Sequence, residues 1–342
     1  MAIIIEQQPL YTTLPVGQEI IFAVSNNILV ANQTQVKFIA EVHISNSTQP
    51  VLSANTHLIG TFKTTPNNKG VGIFDLSSIV ESYVTSDNIC GILSEYKGTV
   101  VTSLTQDTIP PLHLIDKYSF NTNSVRYLGV KFKVEYFNTT NNQIQEASTQ
   151  ATSDSFKIFN GYLKHTNLLR IFNSEFGYNT TVFQLSSTND RLLTNAPVSQ
   201  YANIEDYGTV AFLNPNVKVE YFKFSYFTSS GLALGTDDVL TGLGTYTNIK
   251  QEILYLGAFP ANLRNWSSTF QGLVGGSISH YTIRAYDDTD AAVSKEYTIN
   301  INCPTLKSYI PIRLAWINQW GTWDYYTFTQ KSVRSVSTKG ST

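Results

Sequence analysis

The residues that most often carry chemistry are spaced badly for it. Zinc needs imidazole or thiolate ligands in close register, yet His43, His57, His113, His165 and His280 form neither an H-x-x-H nor an H-E-x-x-H pattern, and no cysteine pair lies beside them. Cys90 and Cys303, the two cysteines, stand far apart in sequence and are expected as buried free thiols. Asp287-Asp288-Thr289-Asp290 gathers three carboxylates of the hard-oxygen kind that calcium takes, without the glycine and distal glutamate of a calcium loop. A solvated hairpin tip is the expectation there. Nucleophilic catalysis has no G-x-S-x-G elbow and no S-x-x-K constellation to rest on. Gly242-x-Gly244 and Gly272-x-x-Gly275-Gly276 lack the Lys-Ser/Thr ending of a phosphate loop and are expected as turns. A glycosidase pair assembled by the fold is compatible with any acidic chain, and nothing singles out Glu175, Glu205 or Asp206 for it. The sequence therefore predicts no enzyme, no catalytic residue, no metal site and no cofactor.

The densest unusual chemistry is aromatic. Leu314 to Phe328 holds three of the four tryptophans, Trp316, Trp320 and Trp323, followed by Tyr325 and Tyr326. Such side chains give large contact area with a polar handle, which suits a platform for a partner protein or a sugar ring. The competing reading is a hairpin whose aromatics alternate between the core and a neighbouring subunit. Trp316, Trp320, Trp323, Tyr325 and Tyr326 are the candidate contacts, together with Ile3, Ile4 and Ile5 as an exposed apolar run.

These residues must be held by strands. Val36, Phe38, Ala40, Val42 and Ile44 alternate with Lys37, Glu41 and His43, and Val130, Phe132, Val134 and Tyr136 alternate with Lys131, Lys133 and Glu135. Asn138 to Asn142 then predicts a hairpin turn. The pattern returns at 217–227, at 279–286 with a return strand near 296–302, and at 208–213. Residues 310–328 read as a strand, a turn at Gly321 and a second strand. The strings Val36-Lys37-Phe38-x-x-Glu41 and Val130-Lys131-Phe132-x-x-Glu135 suggest a weak internal repeat, each followed by a short helix-like segment. The first segment is Asp75 to Val84, with Asp75 as cap and Leu76, Ile79, Val80 and Tyr83 on one face. The second is Ser155 to Lys164.

Composition agrees. The chain has 342 residues, enough for two or three domains with their own cores. Aromatics reach 13%, with 20 Tyr and 19 Phe, while charged residues are only 14% and the net charge is −2. That balance offers no electrostatic footprint for nucleic acid or an anionic membrane. No stretch approaches 18 apolar residues, and MAIIIEQQPL lacks a basic n-region, so neither membrane insertion nor a leader is expected. The predicted fold is all-β, with tandem β-sandwich domains, immunoglobulin/fibronectin-like or jelly-roll-like, and one or two short helices. Residues 1–190 form the expected N-terminal sandwich region, with a split near 106–117 at Gln106 to Pro111 dividing it into two related modules. Residues 191–342 form the C-terminal sandwich, ending in the aromatic hairpin and an arm.

Trp316-x-Asn318-x-x-Gly321-x-Trp323-Asp324-Tyr325-Tyr326-x-Phe328, followed by Lys331-Ser332-Val333-Arg334-Ser335, resembles a stretch in structural proteins of tailed double-stranded-DNA bacteriophages of marine and Bacteroidota hosts. Pro15-Val16-Gly17 to Phe22-x-Val24 and Gly72-Ile73-Phe74-Asp75-Leu76-Ser77 are similar to the opening module of that group. The resemblance implies a place in a virion, assembled in the bacterial cytoplasm, and brings no catalytic residues. The expectation is a non-enzymatic tail, baseplate or collar protein that binds copies of itself and other virion proteins. The alternatives are a receptor- or carbohydrate-binding tail-tip module, with a host surface glycan or receptor as partner, and a capsid decoration protein.

Overall fold

The computed structural model describes residues 2–9, 13–46, 49–87, 112–121, 124–162, 192–214, 219–241, 252–301 and 311–328. The chain is all-β, laid out as several separate sheets packed into sandwiches. In the first sandwich, β1 (Ile4–Gln7), β3 (Ile21–Ser25) and β6 (Val71–Asp75) form a sheet in the order β1-β3-β6. Facing it is a sheet ordered β2-β11-β8-β4-β5, from β2 (Thr13–Pro15), β4 (Thr34–Ser45), β5 (Leu58–Thr64), β8 (Val125–Asn138) and β11 (Phe156–Phe159). Two short strands, β9 (Gln143–Glu146) and β10 (Ala151–Thr152), pair with β8. Alternation drives this layer: Phe22, Phe38, Phe132 and Phe156 point inward and are fully buried. Phe22 meets Phe132 with ring centroids 5.6 Å apart. Each such burial contributes roughly 1.5–3 kcal/mol.

The second sandwich sets a five-stranded sheet, β12-β18-β17-β14-β15, against a three-stranded one, β13-β16-β7. The larger comprises β12 (Ser199–Ala202), β14 (Tyr221–Phe227), β15 (Ala233–Leu240), β17 (His280–Tyr286) and β18 (Tyr297–Ile301). The smaller comprises β7 (Tyr118–Phe120), β13 (Thr209–Leu213) and β16 (Ile253–Gly257). Phe212, Phe222, Phe224 and Phe259 fill the space between them. Three tyrosines are fully buried here and each hydroxyl is satisfied: Tyr226 donates to Asp237 Oδ2 (2.8 Å), Tyr281 to the Ala258 carbonyl (2.7 Å) and Tyr255 to Asp87 Oδ2 (2.6 Å). The last two strands, β19 (Ile312–Ile317) and β20 (Trp323–Phe328), form a separate hairpin.

The shared string has a different meaning from the expected repeat of modules. Its two copies lie on neighbouring antiparallel strands, β4 and β8, and face each other: Lys37 opposes Glu135, Phe38 opposes Val134 and Glu41 opposes Lys131. A K-x-x-x-E string pairs with itself when run antiparallel, placing an acid opposite a base at both ends. Lys133 Nζ also reaches Glu41 Oε1 at 2.6 Å, and Lys63 reaches Glu135 at 2.5 Å.

The helix-like reading of Ser155 to Lys164 is corrected: Phe156–Phe159 is strand β11, parallel to β2 and antiparallel to β8, because Phe156 and Ile158 fill the first core at strand spacing. Lys164 lies outside the described residues. The Asp75 to Val84 segment forms a helix only over Ser77–Glu81. Asp75 Oδ1 accepts from the Ser77 amide, Leu76 and Val80 are buried, and Tyr83 is exposed instead of joining their face. More helices form than the one or two expected. Asn27–Asn32 is capped by Asn26, Pro260–Trp266 starts with proline at its first turn, and Ser268–Leu273 is capped by Ser267. Cys90, Cys303, His165, Glu175, Gly242 to Gly244, the linker at Gln106 to Pro111, and Lys331 to Ser335 lie outside the described residues.

Candidate interaction surface

The aromatic segment forms the hairpin foreseen, but its centre faces inward. Asn318 builds the turn: its Oδ1 accepts from the amides of Trp320 (2.9 Å) and Thr322 (3.3 Å), while its Nδ2 donates to the Leu193 carbonyl at 2.7 Å. Gly321 sits at φ 73°, and a Cβ there would lie 1.4 Å from the Asn160 carbonyl oxygen. Trp320 is buried and stacks on Phe159 of the first sandwich, centroids 6.4 Å apart. Trp323 is half-buried and donates its indole N–H to the Asp87 carbonyl at 2.8 Å. Tyr325 is buried against Phe259. As contacts for an outside partner, Trp320 and Tyr325 are therefore corrected to internal side chains, Trp320 set against the first sandwich and Tyr325 in the core of the second.

A buried carboxyl and a half-buried guanidinium pin the hairpin. Asp324 accepts from Thr194 Oγ1 (2.6 Å) and from the amides of Asn195 (2.6 Å) and Ala196 (3.1 Å); burial pushes its carboxyl up despite these donors. The Arg313 guanidinium lies 4.4 Å from the Phe259 ring centroid, donates to the Tyr207 carbonyl (2.8 Å) and meets Asp206 at 3.4 Å. Glu205, near in sequence, forms a surface ion pair with Arg264.

What the hairpin leaves open is β19. Among the described residues its only strand partner is β20, and its other edge has none. Leu314 is 49% exposed, Ile317 50% and Phe328 48%, with Trp316 and Tyr326 half-buried beside them. Phe328 and Tyr326 pack edge to face at 4.8 Å. Leu314 and Ile317 point to opposite faces of β19, so each face carries one exposed apolar side chain beside an edge with no partner among the described residues. Charge, proline or a bulge usually blunts such an edge, and between Ile312 and Ile317 the one charge is Arg313, already engaged. Sequence reasoning chose the tryptophans by residue type and passed over Leu314, Ile317 and Phe328. The available signal was Ile312-x-Leu314 together with Ala315-x-Ile317, apolar on both strand faces.

The N-terminal run divides in the same way. Ile3 is buried and Ile5 half-buried against the first core, correcting their assignment as exposed contacts, while Ile4 is 52% exposed on β1. Strand alternation is the cause. The Asp287 to Asp290 loop satisfies itself: Asp287 Oδ1 accepts from the amides of Thr289 and Ala291, each at 2.9 Å. Among the described residues no group of three or more His, Cys, Asp or Glu could hold a metal ion, and no helix is long and apolar enough to cross a membrane.

No family model matches the chain, and no curated protein matches it. One solved structure that does match is the native conformation of E. coli alpha-2-macroglobulin from single-particle cryo-EM, at 8% identity and a TM-score of 0.22. The match covers 92% of this chain and 17% of that one, so this chain spans a small part of that protein's length. A likeness this distant carries no argument.

Proposed function

We propose that this chain is a non-enzymatic structural protein of a tailed-bacteriophage virion, of tail, baseplate or collar type, working by assembly with copies of itself and with other virion proteins. The observation that carries the assembly part is the second edge of β19, which has no strand partner among the described residues, with Leu314 and Ile317 exposed on the two faces of the strand. A neighbouring strand added there would bond main chain to main chain and cover both side chains. The virion part rests on the resemblance of the Trp316 to Phe328 segment to phage structural proteins.

Both parts have direct tests. Antiserum against the chain, applied to intact particles of the source phage and viewed by electron microscopy, should label the tail end or neck. Absence of label from intact and from disrupted particles would remove the virion reading. For the assembly part, Leu314→Asp with Ile317→Asp should leave the melting temperature of the isolated chain within about 3 °C, since surface changes are usually within about 0.5 kcal/mol. The same pair should abolish incorporation into particles. Normal incorporation of the double variant would show that β19 is not the contact.

A further inference from the structure

The five-stranded sheet of the second sandwich packs one face on the core and turns the other to solvent, and the register fixes what that outer face displays. Thr236 of β15 lies opposite Ser225 of β14, Ser225 opposite Thr282 of β17, Thr282 opposite Thr298 of β18, and Thr298 beside Ser199 of β12. Five neighbouring strands thus contribute five hydroxyls in one straight row, about 4.8 Å apart. All five residues are exposed or half-exposed. The side-chain hydroxyls of Thr236, Ser225, Thr282 and Thr298 bond to no other described residue, while Ser199 Oγ accepts from Asn300 Nδ2 at 3.4 Å.

A second row runs parallel to this one, two residues along each strand. It holds Phe227, His280, Asn300 and Tyr201, with Phe227 and His280 stacked at 5.1 Å and Tyr201 44% exposed. On the other side of the hydroxyls lies a row in which Asp238, Lys223 and Arg284 stand opposite one another, mixing both signs. The face therefore offers uncharged donors and acceptors flanked by rings, with one positive charge in excess among Asp238, Lys223 and Arg284.

We propose that this outer face binds an extended, neutral, β-linked polysaccharide lying across the strands. The strand spacing is close to the rise of one pyranose unit in such a chain, so successive sugars present hydroxyls to successive Thr or Ser side chains. Tyr201, 44% exposed at one end of the second row, offers a ring face to one sugar, the contact expected of the tryptophans, whereas Phe227 and His280 close one ring face on each other and supply edge contact. Nucleic acid would require far more positive charge than this face carries, and its apolar groups are split, since Asp238, Lys223 and Arg284 separate Leu240 and the stacked Tyr221–Tyr286 pair from the hydroxyl and aromatic rows.

The test is affinity electrophoresis of the full chain in native gels containing hydroxyethylcellulose, xylan or glucomannan, followed by calorimetric titration with whichever polymer retards it. Retardation is expected in at least one gel. Thr282→Val with Thr298→Val, which keep β-branched side chains on an outward face, should weaken binding by about tenfold or more with the melting temperature unchanged. Tyr201→Ala should weaken it separately. Leu314→Asp with Ile317→Asp should not, which keeps this test independent of the β19 contact. Migration unchanged in all three gels would overturn the proposal. So would retardation that survives the Thr282, Thr298 and Tyr201 changes together, or self-association in sedimentation velocity that those changes abolish.

Discussion

His43 shows how far a single residue can depart from its strand pattern. It sits on the polar side of β4, yet it is fully buried, and neither ring nitrogen has a hydrogen-bond partner among the described residues. Burial holds its imidazole below the usual range, opposed by Glu41 and assisted by Lys131 and His57. The folded state thus binds its proton less readily than the unfolded state. Stability from a neutral His43 is present above the unfolded value of 6.5 and declines as pH falls below it. His43→Leu should flatten that decline, measured as the urea midpoint between pH 7.5 and 5.5; an equal slope in both proteins would reject the assignment. Gly321 is the second residue with an outsized role. At φ 73°, and with Asn160 blocking any Cβ, Gly321→Ala should cost about 3 kcal/mol or more, read by thermal unfolding.

At the scale of elements, the pairing of β4 with β8 joins sequence to stability most directly. Burial pushes the Glu41 carboxyl up, but Lys133 and Lys131 outweigh it and hold it below its ordinary value of 4.5. Its contribution is therefore complete above that value and is lost as pH falls through the lower, folded one. Glu41→Gln should cost about 1–3 kcal/mol at pH 7 and almost nothing at pH 2.5, compared by denaturant titration. Strands such as β4, β8, β14 and β17 were legible because apolar and polar residues alternate over seven or more positions. β11 was not, because Phe156-Lys157-Ile158-Phe159 is too short to separate period two from period 3.6. The helix Pro260–Trp266 escaped for another reason: Pro260, Ala261, Asn262 and Leu263 are all buried, so it has no polar stripe in its first turn. The hairpin of β19 and β20 was legible as an element, whereas which of its rings face inward depends on Phe159 and Asp87, distant in sequence. The hydroxyl row was hidden for a similar reason, since each strand supplies only one member.

At the scale of the whole molecule, the two sandwiches share a third core, in which Leu112, Ile115, Val125 and Phe159 meet Leu213, Ile253, Tyr255 and Trp320. Asn121 Oδ1 accepts from the Ile253 amide, and Lys157 pairs with Glu252. Trp320→Ala should cost about 3–5 kcal/mol and, by opening this seam, split one calorimetric transition into two; a single transition lowered in temperature would show that the sandwiches unfold together regardless. The position of β7 also bears on synthesis. Tyr118–Phe120 precedes β8 of the first sandwich in the chain, but its hydrogen bonds go to β16 of the second. Asn121 and its partner Ile253 are 132 positions apart. At ordinary translation speeds the ribosome takes on the order of ten seconds to cover that distance. For that interval the nascent first sandwich carries Tyr118, Phe120, Leu112 and Ile115 without the strand that covers them, so the interval between those two strands sets the period in which a chaperone is most useful to it.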